Sequence, residues 1–134
     1  MISWDEKYNL GIPQIDIEHG QFIRIINRLE RAITESREEK EVENIFTELN
    51  NYSKFHFSTE EQYFEKFKYP EAATHIKEHD FFRKTVKEIY EDLAVNHNLA
   101  ALRHDLPNFL GNWFINHVQG TDRRYVPFFH EHGL

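Results

Sequence analysis

Seven side chains in this chain are suited to coordination chemistry: His19, His56, Glu60, His75, His79, His117 and Asp122. His56 and Glu60 are four residues apart, and so are His75 and His79. On a helix, residues four apart stand one turn above the other on the same face. Each pair can therefore reach a single point in space. Imidazole mixed with carboxylate suits first-row transition metals, non-haem iron among them.

Positioning these residues falls to four stretches with helical periodicity. The first carries His19, Phe22, Ile26, Leu29 and Ile33. The second carries Val42, Ile45, Leu49, Tyr52, His56, Glu60, Tyr63 and Phe67. The third carries His75, His79, Phe82, Val86, Ile89 and Leu93, and the fourth Leu99, Leu102, Leu106, Phe109, Trp113 and His117. Each reads as an amphipathic helix with one apolar stripe. Short connections around Ser36–Glu39, Lys68–Glu71 and Asn96–Asn98 force neighbours to run antiparallel. The fold class predicted is all-α, an up-down-up-down four-helix bundle in a single domain over 1–134. An extended N-terminal arm spans 1–15, the bundle about 16–126, and a short C-terminal tail follows. Asp16 is the expected cap of the first helix, and Pro70 suits the start of the third. Pro107 predicts a kink or a restart behind Asp105.

Composition narrows the setting. The chain has 134 residues, enough for one domain with a real core. It has no cysteine, which excludes disulfides and thiolate metal sites and fits a reducing compartment. A net charge of −7 argues against nucleic acid or an anionic membrane as partner. No apolar run is long enough to span a bilayer, and the first residues lack the pattern of a signal peptide. The expected location is cytoplasmic. Twelve Phe, six Tyr and two Trp suit a core with bulky space to fill.

The candidate ligands occupy positions within the apolar stripes. Burying imidazole or carboxylate without a partner costs several kcal/mol. A lone core histidine is more often hydrogen-bonded than metal-bound, but here every helix offers one at the same end of an antiparallel bundle. His19 and His75 lie near helix starts, His56 and His117 near helix ends. Asp122 follows His117 by five residues, a spacing that misses the same face by about 140°. A widened, π-type turn around Gly120 would bring it back. His97, His104, His130 and His132 fall outside the stripes and read as solvated surface.

These pieces resemble the hemerythrin family, in particular its single-domain bacterial members. The matching segments are Ile15-Asp16-x-x-His19, His56-Phe57-x-x-Glu60-Glu61, Tyr69-Pro70 ahead of His75-x-x-x-His79, and Trp113-x-x-x-His117-x-x-x-x-Asp122-x-x-Tyr125. The resemblance runs from about residue 4 to residue 126. It implies two iron ions (Fe2+/Fe3+) joined by an oxo or hydroxo bridge. By that analogy His75, His79 and His117 hold one iron, His19 and His56 hold the other with a position left open, and Glu60 and Asp122 bridge them. The implied function is reversible O2 binding, as a carrier, store or delivery protein and not an enzyme. Its alternatives are a di-iron enzyme acting on O2, peroxide or nitric oxide, and an oxygen or redox sensor working through a partner protein. An oxygen-consuming recipient is an implied but unidentified partner.

Phe22, Ile23, Phe57, Trp113, Phe114 and Val118 flank the ligands along the chain and form the expected O2 pocket, whose apolar walls exclude water. Phe64, Phe114 and Gly20 depart from the family's usual residues. Phe114 stands where leucine is usual, and its bulk bears on oxygen affinity and autoxidation. The ferritin-like di-iron enzymes use Glu-x-x-His pairs, and this chain contains none.

Overall fold

A computed structural model describes residues 2–96 and 105–134. Its elements are α1 (Pro13–Thr34), α2 (Glu39–Phe67), α3 (Ala72–Asn96), α4 (Leu106–Asn116) and α5 (Val126–Glu131). A π-helix at His117–Thr121 and a 3-10 turn at Asp122–Tyr125 join α4 to α5. Helices α1 to α4 form the four-helix bundle. Its core is continuous, from Ile15, Phe22 and Phe57 at one end to Leu29, Leu49 and Leu93 at the other. Fully burying an aliphatic or aromatic side chain contributes about 1.5–3 kcal/mol, so this seam carries most of the stability.

Several boundaries differ from those expected. Helix α1 begins at Pro13, so the arm ends at Ile12 and not at residue 15. Proline fits the first helical position, where its missing N–H has no partner to lose. Asp16 therefore does not cap the helix. Its carboxylate turns back and accepts from the N–H groups of Leu10 and Gly11 at 2.8 and 3.1 Å, pinning the arm. Gly11 permits this reversal with a φ of 77°. Pro70 lies in the connection, two residues before α3. Asp105 occupies the N-cap position of α4 without a capping side-chain hydrogen bond, and Pro107 sits in the first turn. Leu99, Leu102, His97 and His104 lie outside the described residues.

The stripe of α4 is rotated from its expected position. Leu106, Leu110 and Phe114 are its buried residues, while Phe109 and Trp113 are half-buried at its edge. The expected C-terminal tail is the helix α5. Phe129 of α5 is buried, and it packs on Phe64, Tyr69 and Tyr125. His130 and His132 are exposed, but both rings hydrogen-bond backbone carbonyls, those of Gly11 and Phe128. No described helix is long and apolar enough to cross a membrane.

Candidate metal centre

All seven residues singled out by type and spacing converge at one pole of the bundle, and all are buried. They form two overlapping groups. Glu60, His75, His79, His117 and Asp122 make one, and His19, His56, Glu60 and Asp122 make the other. Within each group the ligand atoms lie within 4.8 Å of one another. Only Glu60 and Asp122 belong to both.

The π-helix is what brings in Asp122. One extra residue per turn cancels the angular error of a five-residue spacing. Asp122 Oδ1 then lies 2.9 Å from His117 Nε2 and 3.0 Å from His75 Nε2, while Oδ2 lies 3.1 Å from His19 Nε2. Its two oxygens thus face the two groups separately. Glu60 Oε1 sits between the groups, 3.4 Å from His56 Nε2 and 3.2 Å from His79 Nε2. Glu60 Oε2 accepts from the Tyr125 hydroxyl at 2.5 Å.

An outer ring of carboxylates fixes how the imidazoles point. Glu18 Oε1 lies 2.8 Å from His56 Nδ1, Glu61 Oε2 2.9 Å from His79 Nδ1, and Glu78 Oε1 3.0 Å from His117 Nδ1. A carboxylate facing Nδ1 favours a proton there, which leaves Nε2 of each ring directed inward to ligate once it carries no proton. The ring of carboxylates advances one helix at a time. A carboxylate on α1 orients a histidine on α2, one on α2 orients α3, and one on α3 orients the segment after α4. Each carboxylate is itself held, Glu18 by Gln14, Glu61 by Arg83 and Glu78 by Thr121. These positions were missed as site residues. Their one sequence signal is adjacency, since Glu18, Glu61 and Glu78 each neighbour a ligand candidate in the chain.

The charges are opposed and closely balanced. Burial and the charge of Asp122 push the Glu60 carboxyl upward. The imidazoles of His56 and His79 outweigh them and bring it down to about 2. Burial likewise disfavours ionised Asp122, but His117, His19 and His75 hold it well below the usual carboxylate range. Burial opposes protonation of His117, yet Asp122 and Glu78 lift it to about 10. Tyr125 is pushed far up by burial and by Asp122 and Glu60, so it stays a donor.

Several inward atoms still lack a hydrogen-bonded partner among the described residues: His19 Nε2, His79 Nε2, Glu60 Oε1 and both oxygens of Asp122. They approach one another to about 3 Å without the alignment a hydrogen bond requires. Buried polar atoms are rarely left so. Lone pairs from imidazole and carboxylate, aimed at shared points and stripped of water, fit metal cations. The residues present therefore suit a non-haem metal site.

Four of the six expected pocket residues divide between the two groups. Phe114 lies 5.7 Å from the His19 ring, Phe22 lies 6.0 Å from His56, and the two phenylalanines are 5.3 Å apart. Phe57 instead stacks on His79 at 4.0 Å, and Trp113 on His117 at 4.3 Å. Ile23 and Val118 are buried in the same core cluster. From the arm, Tyr8 packs on Phe114 with ring centroids 6.4 Å apart.

Comparisons with known proteins agree with this picture. The hemerythrin HHE cation binding domain matches residues 10–129. A bacteriohemerythrin of Clostridium acetobutylicum is 31% identical over 130 residues, covering 94% of this chain and 99% of that one. A bacteriohemerythrin of Stenotrophomonas maltophilia is 30% identical over 126 residues, covering 94% and 80%. A crystal structure of a leucine-to-phenylalanine mutant shares the fold. Its TM-score is 0.81 at 22% identity, with 95% of both chains covered.

Proposed function

This chain belongs to the hemerythrin family, and on that premise we propose that its buried centre holds two irons and binds O2 reversibly. The observation that carries this reading is the sharing of Glu60 and Asp122 between two ligand groups of unequal size. In this reading three histidines, His75, His79 and His117, serve one iron. Only two, His19 and His56, serve the other, which keeps a position open. A full shell on one side and a single vacancy on the other favour binding a diatomic molecule over oxygen activation. The two irons, when bound, supply the two electrons with which O2 is held and given back.

The chain's own residues do the rest. Glu18, Glu61 and Glu78 keep three imidazoles in the ligand tautomer and fix their rings. Tyr125 holds Glu60 by its second oxygen. On the open side, Phe22 and Phe114 present apolar edges to His56 and His19 and keep water away. Phe57 and Trp113 cover the opposite group.

The test is anaerobic loading with ferrous iron, then repeated exposure to O2 and its removal. The reading requires two irons per chain and a charge-transfer colour that appears and fades over many cycles. Catalytic consumption of O2, or colour that never reverses, would favour an enzyme instead.

A further inference from the structure

Among the described residues, two of the five inward-facing histidines have no protein partner for their outer nitrogen. His19 Nδ1 and His75 Nδ1 are both buried and unbonded. His75 differs in bordering a small cleft between the α2–α3 connection and the π-helix, lined also by Tyr69, Glu71, Thr74, Thr121 and Arg124. Its volume is about 10 Å³, at the lower limit of what a single water needs. The His75 ring is only 2% exposed, and its Nε2 is committed inward, 3.0 Å from Asp122. Nδ1 is thus the one polar atom this ring has left to offer the cleft. The other lining residues are all polar, and among them the Glu71 carboxylate accepts from the Tyr69 hydroxyl at 3.0 Å. A buried water needs two to four polar partners, and this lining supplies them.

We propose that this cleft holds a single exchangeable water that accepts from His75 Nδ1–H and makes His75 the solvent port of the metal centre. The inference rests on the metal-centre reading, since it takes His75 Nε2 as the ligating atom. It sets His75 apart from His56, whose Nδ1 donates to the buried carboxylate of Glu18. A carboxylate holds its proton donor permanently, whereas a water at the surface trades places with bulk. The N–H of His75 therefore exchanges with solvent faster than that of His56.

The experiment uses the full chain loaded with zinc as a diamagnetic probe and labelled with nitrogen-15 at histidine. Nuclear magnetic resonance should show a cross-peak between water and the His75 Nδ1 proton and none at His56. Thr74 is exposed, lines the cleft and is not itself a ligand candidate, so Thr74→Leu should fill the cleft and leave the ligand set intact. It should remove the cross-peak and slow His75 exchange at least tenfold, with zinc content unchanged. A zinc-loaded chain without the cross-peak, or one whose cross-peak survives Thr74→Leu, would overturn the port alone. A His75 signal that moves when chloride is replaced by nitrate, with no water cross-peak, would mean a halide sits there and would also overturn it. A chain that takes up no zinc at all would sink the metal-centre reading beneath it.

Discussion

The two poles of the bundle solve opposite problems. At the pole away from the centre, Leu29, Leu49 and Leu93 meet in an ordinary aliphatic seam, each at most 2% exposed. At the other pole the same helices bury five imidazoles and three carboxylates just as deeply, Glu18 among them. The first pole is held by apolar burial. The second depends on proton sharing within the cluster until cations replace the protons. One helical scaffold therefore carries a permanent half and a conditional half, and each prediction that follows separates them.

The largest effect should come from His117→Ala. It removes a ligand and strands Glu78 and Asp122, so the chain should fall below two irons by elemental analysis. Hydrogen exchange should speed up through the π-helix and α5 while the far pole stays protected. A variant retaining full iron would refute the assignment of His117. The mirror experiment is Leu49→Ala at the far pole. It should cost about 2–5 kcal/mol in denaturant unfolding and leave iron content at two.

Acidity should divide the poles next. In the metal-free chain His117 is raised from 6.5 to about 10. Its contribution to stability is complete below pH 6.5 and is lost as pH rises toward 10. Glu60 is lowered from 4.5 to about 2, so its contribution is complete above pH 4.5 and is lost as pH falls toward 2. The metal-free folding constant should thus fall on both sides, by at most about tenfold per pH unit for each group. Iron loading should do the reverse at neutral pH and release protons, measurable in weakly buffered solution. Far-pole amides should show no such pH profile beyond that of exchange chemistry.

Smaller effects belong to the outer carboxylates. Glu61→Gln keeps the shape but weakens the acceptor opposite His79 Nδ1, and should lower metal affinity about 10- to 100-fold. Glu18→Gln should do the same through His56. Competition against a calibrated chelator reads both, and unchanged affinity would reduce these contacts to packing.

The centre itself was legible because polar residues on an apolar stripe violate the rule that builds the core. His19, His56, Glu60, His75, His79 and His117 stood out for that reason. Asp122 required one further step, the widened turn, which the π-helix supplies. The outer carboxylates did not stand out. Glu18, Glu61 and Glu78 sit beside the stripes, where acidic residues are commonplace, and each serves a histidine on another helix. Pairings across helices leave no periodic trace. The arm misled for a related reason. Asp16 has the type of a helix cap, but Pro13 starts the helix earlier and leaves Asp16 to bind the arm. The rotation of α4 was hidden too, because Phe109 and Leu110 are both apolar and only packing decides which is buried.

The central claim is that one pole holds two metal ions between shared carboxylates. Anomalous diffraction at the iron edge from iron-loaded crystals tests it most directly. The account predicts two separate peaks, one beside His75, His79 and His117 and one beside His19 and His56, with Glu60 and Asp122 between them. A single peak, or iron bound anywhere outside this cluster, would contradict it.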